Sequence, residues 1–218
     1  MRRGTRAVMS GGLAVTAVAL DRIPTPPVPV ESPTRSYLPG VTGSSMVTIE
    51  PERPADVPGV RRVVEAAFDT PAEADLVEAL RDSDGFVPEC ALVARDGEDG
   101  EDGVVGQVLL TETGLLDAWP AALTLAPVAV HPGRQGEGIG GDLVRAGLEN
   151  AHREGYDLVF LHGDPDFYGQ FGFEPAVPAG VENSLDLPDP DFQVCELTPG
   201  ALEAAEGRVS YPSAFDGV

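Results

Sequence analysis

The chain contains no lysine. All fourteen of its basic residues are arginines, set against 36 Asp and Glu, and the net charge is −22 over 218 residues. A surface so poor in positive charge repels phosphodiester backbones and anionic headgroups, so nucleic acid and membrane are poor candidate partners. It also repels itself unless salt screens it, over about 8 Å at physiological ionic strength and less at molar salt. The composition points to a halophilic protein of a salty cytoplasm, with an acidic mesophilic enzyme as the blander alternative. Cysteine is scarce too. Cys90 and Cys195 lie in the apolar-patterned segments CALVA and FQVCEL, which fits two buried thiols in strands better than a disulfide or a metal site. The three histidines, His131, His152 and His162, lack zinc-ligand spacing, and no metal is assigned. The apolar run over residues 8–20 is broken by glycine and falls short of the roughly 20 residues that a membrane span needs.

What is present suffices for a core: 42% of the residues are hydrophobic, and the length fits one domain plus a tail. The first 45 residues stand apart. They hold five arginines against Asp21 and Glu31, a net +3, which leaves −25 for the remainder of a chain carrying −22. Three readings compete for this leader: a true start at Met46, a signal-like segment with Arg2 and Arg3 ahead of the apolar run, and a disordered tail. The first is preferred, with residues 46–218 as the domain.

From Met46 the pattern is regular. VTIEPE reads as a strand, and Pro54 opens a helix with Val57, Val60, Val63, Val64 and Phe68 at helical spacing. Pro71 opens a second helix. ECALVAR and VVGQVLLTET read as strands joined by the GEDGEDG turn. AALTLAPVAV is a long strand whose Pro127 removes a ladder N–H and so marks a bulge or an edge. A helix follows over about 138–153, and DLVFLHG is a continuous apolar strand, so this strand–helix–strand unit predicts one parallel pair. PDFYGQF reads as a short helix capped by Asp164, and FQVCEL as the last strand. The sum is an α/β (α+β) fold: a mixed, mostly antiparallel sheet with one parallel step, flanked by helices.

The densest signal joins the long strand to its helix: Val128, Ala129, Val130, then His131, Pro132, Gly133, Arg134, Gln135, Gly136, Glu137, Gly138, Ile139, Gly140 and Gly141. The first amides of a helix have no internal acceptor and sit at the positive end of its dipole, a ready site for phosphate. Glycines remove the side chains that would hold the phosphate away. A flexible loop with a glycine cap explains one or two of these glycines, not the dense run. Gly136, Gly138 and Gly141 match G-x-G-x-x-G, with Asp164 downstream. The five residues between strand and first glycine, and the single crossover, make a dinucleotide fold a weak match. No Gly-Lys-Ser/Thr follows, which excludes a Walker loop.

The better match is Gln135-x-x-Gly138-x-Gly140, preceded by VAVHP and followed by FYGQFGFEP. This ordered set resembles the GNAT superfamily of N-acetyltransferases, and within it the YhbS-like subgroup, over about 46 to the C-terminus and most strongly over 125–175. The resemblance implies that the strand before the turn splays from its parallel neighbour and that the pantetheine arm of acetyl-CoA pairs with Val128, Ala129 and Val130 like an added strand. It implies a pyrophosphate held by the amides from Gln135 to Gly140, with Gly141 beside them and Arg134 as the nearby base. Family members often carry Lys or Arg where this chain has Glu137, a departure that leaves more of the binding to backbone amides. The freed N–H of Val128 would stabilise an oxyanion. Tyr168 falls where the family places its general acid; its alternative role is packing beside Phe167, Phe171 and Phe173. The general base is open, with Glu112 and Asp164 as candidates.

The function so implied is acetyl-CoA-dependent transfer of an acetyl group to a primary amine by direct attack on the thioester. A non-catalytic acyl-CoA sensor and a dinucleotide-dependent oxidoreductase are the alternatives. The closing segment GRVSYPSAF packs either on its own domain or on a second copy in a homodimer.

Overall fold

The computed structural model describes residues 47–68, 70–97, 103–115, 121–184, 189–205 and 207–215. The leader, and most of the GEDGEDG turn, lie outside them. In chain order the elements are β1 (Val47–Pro51), α1 (Val57–Phe68), α2 (Ala72–Arg81), β2 (Phe86–Asp96), β3 (Val104–Leu115), β4 (Ala122–Val130), α3 (Ile139–Arg153) and β5 (Leu158–His162). Then follow α4 (Pro165–Tyr168), β6 (Phe173–Pro175), β7 (Val181–Glu182), β8 (Phe192–Glu196), α5 (Ala201–Ala204) and β9 (Gly207–Ser210). Pro54 sits in a one-turn 3-10 helix just ahead of α1, and Pro71 directly precedes α2, as their locked φ favours.

The strands order β1-β2-β3-β4-β5-β8-β6. Every neighbouring pair is antiparallel except β4 and β5, which run parallel as the α3 crossover requires. Two expectations need correction. FQVCEL, which forms β8, is not the last strand: β9 follows and pairs with the end of β3, Gly114 opposite Ser210. Only Val209 of its four residues is buried, too short a pattern to register as a strand. The parallel step is also not alone, since the two residues of β7 lie parallel to β9. The C-terminal segment packs on its own domain, with Phe215 buried in the cluster that α1 and α2 build.

Helices cover both faces. α3 places Ile139, Leu143, Val144 and Ala151 against Val108, Leu110, Leu123, Leu125, Val128 and Val130. It lies so close to the sheet that a Cβ on Gly147 would stand 2.9 Å from Leu110 Cδ1. α1 and α2 lie on the opposite face with Val93, Leu109, Ala126 and Ala129. A buried ion pair, Arg95 to Asp56 at 2.6 Å, ties the start of α1 to β2. All nine residues of β4 are buried, as in a central strand covered on both sides.

The β4 strand does not alternate cleanly. Val108 pairs with Val128, but Leu110 pairs with Leu125, so two residues of β4 face one of β3 at Ala126–Pro127. That is a β-bulge, and the proline without an N–H sits in it as expected. The extra residue shifts the phase: Leu125 and Val128, three apart, both face α3.

Candidate functional site

The β4–β5 ladder is short. It runs through Ala122↔Leu158, Leu123↔Val159 and Thr124↔Phe160 and then stops. Beyond the bulge, Val128, Ala129 and Val130 keep their partners on β3 and have none on β5. The two parallel strands therefore fork at Thr124. Gln107, fully buried, donates from Nε2 to the carbonyl of Pro127 at 3.2 Å and holds the bulge from the β3 side.

The turn after β4 is held by its own side chains. His131 Nδ1 accepts from the Gly133 N–H at 3.1 Å, and Gln135 Nε2 donates to the carbonyl of Val130 at 3.1 Å, folding the turn back on the strand end. Gly136 and Gly138 adopt φ of 81° and 88°, a region costly for residues with a Cβ. A Cβ on either would meet nothing within 4 Å, so space is open around the turn and it is backbone conformation that calls for glycine. The first hydrogen bond of α3 runs from the Asp142 N–H to the Gly138 carbonyl at 3.1 Å, and among the described residues no side chain caps the amides ahead of it. The N–H groups of Ile139, Gly140 and Gly141 are thus presented at the helix mouth.

Arg134, the base expected there, is engaged by carboxylates. Its Nε lies 3.0 Å from both oxygens of Glu137, and its Nη1 pairs with Asp96. Asp96 closes β2, and nothing in the sequence near Arg134 signals it. A second cation stands one turn into α3. Arg145 pairs with Asp142 at 3.0 Å, lies 5.0 Å over the Phe171 ring, and approaches the Gly141 position within 3.4 Å. Sequence reasoning passed it over, although its i+4 spacing from Gly141 puts both on one helix face.

The Asp164 carboxylate caps α4, accepting from the Asp166 N–H at 2.9 Å. That short helix carries Tyr168 into the interior, fully buried, edge-on to Phe167 at 4.9 Å and Phe173 at 5.7 Å. The ring packs in one cluster with Val128, Val130, Ile139 and Leu161, residues from both arms of the fork and from α3. Its Oη has no hydrogen-bond partner among the described residues. Burial, and then the charge of Asp164, raise the phenol above its ordinary pKa, so Tyr168 is a protonated donor throughout the working range. Gly163 makes the room: a Cβ there would stand 2.3 Å from Tyr168 Cε2.

On the other side of the sheet, polar groups gather. Thr111 and Thr124 face each other across β3 and β4 and are buried. Neither hydroxyl, nor Gln107 Oε1, has a partner among the described residues. His162, past the last β4–β5 rung but paired with Phe192 of β8, is stacked on Phe192 with its Nε2 3.2 Å from Tyr211 Oη. Tyr211 lines a cavity of about 590 Å³ with Asp84, Glu112 and Tyr156 among its walls. Glu112 accepts from the Tyr156 hydroxyl at 2.7 Å there. No local pattern signals the role of His162, because Tyr211 lies 49 residues away in the chain. Both cysteines are buried and unbridged, and burial pushes the thiols up, to about 12 for Cys90 and about 11 for Cys195.

A forked parallel pair, a bulged central strand and an open helix mouth together define an acyl-CoA-type transferase fold, and comparison with known proteins agrees. The chain belongs to the GNAT acetyltransferases: the Acetyltransferase (GNAT) domain family matches residues 48–176. It is 34% identical over 168 residues to the uncharacterised N-acetyltransferase YhbS of Escherichia coli, covering 77% of this chain and 98% of that protein. It is 38% identical over 124 residues to YjhQ, another uncharacterised N-acetyltransferase of Escherichia coli, covering 56% of this chain and 66% of that one. The crystal structure of Escherichia coli YhbS with CoA superposes with a TM-score of 0.75 at 30% identity, over 81% of this chain and 96% of that one. A Brucella melitensis GNAT acetyltransferase in complex with acetyl-CoA superposes with a TM-score of 0.64 at 31% identity, over 79% and 100%.

Proposed function

We propose that residues 46–218 use acetyl-CoA to acetylate a primary amine by direct attack on the thioester, in a salty cytoplasm. The observation that carries this reading is the fork beside the uncapped mouth of α3. It is supported by the CoA and acetyl-CoA in the YhbS and Brucella melitensis relatives. When bound, acetyl-CoA supplies an acetyl group activated as a thioester. Val128, Ala129 and Val130, whose backbones have no β5 partner, would receive the pantetheine amides. The amides of Gln135, Gly136, Glu137, Gly138, Ile139, Gly140 and Gly141 would hold the pyrophosphate, with dipole and open space in their favour. Arg134 orders the turn through Asp96 and Glu137 and leaves the nearer unshared charge to the amides. The Val128 N–H at the bulge would serve the oxyanion.

Tyr168 would return a proton to the leaving thiolate. Its buried hydroxyl, without a partner among the described residues, fits such a role, because an unmet hydrogen bond in the interior costs about 1–3 kcal/mol. The test is release of free thiol from acetyl-CoA with an amine panel in high salt. Tyr168→Phe should lower turnover by about 10²-fold while sparing acetyl-CoA binding. A folded protein that binds acetyl-CoA but releases no thiol with any amine would favour the sensor reading. A melting point raised by NAD and unmoved by acetyl-CoA would favour the oxidoreductase.

A further inference from the structure

Between the cavity and the fork stands one polar contact, Tyr211 Oη to His162 Nε2 at 3.2 Å. Tyr211 lines the cavity, while His162 lies two residues past the last β4–β5 rung, still paired with Phe192 of β8 and on the same face as Phe160. The partner of Phe160 across that rung is Thr124, whose buried hydroxyl is one of those without a partner among the described residues. Tyr211, His162 and Thr124 thus lie between the cavity wall and the last rung of the β4–β5 ladder.

We propose that the acceptor enters this cavity as an ammonium ion and gives up its proton to the Tyr211–His162 pair. The inference rests on the transferase reading above and deepens it by naming the acceptor's charge and its base. Asp84 and Glu112 on the cavity wall suit a cation. One N–H of the ammonium donates to Tyr211 Oη and passes its proton there as the Tyr211 proton moves to His162 Nε2. The amine becomes neutral, the tyrosine stays neutral, and the imidazole becomes imidazolium, which returns the proton to solvent by the same route. Burial raises the Tyr211 phenol above its usual range, so it relays rather than ionises. Tyr211 is the group that touches the amine; His162 acts through it.

Among the described residues, two elements pack on the relay. β8 covers His162 with the apolar ring of Phe192, and the C-terminal segment covers it with Tyr211. Asp164, two residues on, is turned into the α4 cap. The ionisable side chains that share the cavity with Tyr211 are Asp84, Glu112 and Tyr156, the last two bonded to each other.

The experiment follows the ring protons of the three histidines by NMR in the full chain with CoA bound, adding benzylamine hydrochloride or 1,4-diaminobutane. His131 and His152 are exposed and serve as internal references. The His162 signal should move with amine in the wild type and stay still in Tyr211→Phe. Where turnover is measured, Tyr211→Phe should lower kcat by about 10²-fold and lose the rise of rate with pH, with the acetyl-CoA Kd unchanged. His162→Gln, which keeps a hydrogen-bond partner for Tyr211, should lose the same pH limb. A His162 signal indifferent to both amines, or a Tyr211→Phe variant with the wild-type pH profile, overturns the proposal. Absent thiol release would sink the transferase reading alone, because the His162 response decides the relay without turnover.

Discussion

The face of the sheet under α3 and the face under α1 and α2 border the same fork, yet they treat polarity differently. Under α3, β3, β4 and β5 present Val108, Leu110, Leu123, Leu125, Val128, Val130, Val159 and Leu161, and among the described residues of this cluster the Tyr168 hydroxyl is the buried polar group without a hydrogen-bond partner. The opposite face presents Gln107, Thr111, Thr113, Thr124 and His162, all buried. Thr113 is satisfied by the carbonyl of Ser210 and His162 meets Tyr211, while three other polar atoms on this face find no partner among the described residues. Unpaired polar atoms weaken a core. In the function proposed above, their concentration on one face, next to the bulge and the fork, would serve the polar acceptor. In the same proposal the α3 side would hold the pantetheine arm along β4.

The sharpest way to break the apolar side is Gly163→Ala. The added methyl would lie 2.3 Å from the Tyr168 ring, which is itself fully buried among Phe167, Phe173 and the fork residues. Overpacking of this kind costs about 1–3 kcal/mol. The variant should show a lower denaturation midpoint and, with Tyr168 displaced, reduced thiol release. Wild-type stability and turnover together would mean that the Tyr168 position is not as constrained as its packing indicates.

A smaller effect is expected on the polar side. Replacing Thr111 and Thr124 by valine keeps their shape and removes two hydroxyls that have no partner among the described residues. The fold should be unchanged or gain up to about 1 kcal/mol in urea denaturation. KM for the amine should rise several-fold, while the acetyl-CoA Kd stays put. A destabilised double variant would show that these hydroxyls are satisfied in the protein, and the contrast between the faces would lose its basis.

How far these features were legible in the sequence depended on distance along the chain. The glycine turn, the bulge at Pro127, the cap at Asp164 and the place of Tyr168 all lie in one stretch, where local chemistry names its own geometry. Tyr211 meets His162 across 49 residues, and Arg134 meets Asp96 across 38; no local pattern encodes either contact. β9 escaped because it buries one side chain out of four and owes its existence to the waiting edge of β3. His162 lies in an apolar strand, and its place past the last β4–β5 rung is set only by the folded sheet. Which polar atoms on β3 and β4 lack partners among the described residues is a property of the packed sheet.

The smallest effect concerns Glu137, which sets a carboxylate beside the amides at the mouth of α3 in a chain of net charge −22. A carboxylate about 8 Å from a phosphate in water costs about 0.5 kcal/mol, close to a twofold change in Kd. Salt at molar strength shortens the screening length to about 3 Å and removes most of that cost. Glu137→Gln should therefore tighten acetyl-CoA binding about twofold at low salt and leave it unchanged at 1 M. Release of Arg134 from Glu137, with Asp96 still holding it, acts in the same direction and is screened in the same way. Calorimetric titrations of both proteins at the two salt concentrations decide it. An equal gain at both would assign the effect to turn conformation, and a loss at low salt would show that Glu137 serves the site by ordering Arg134.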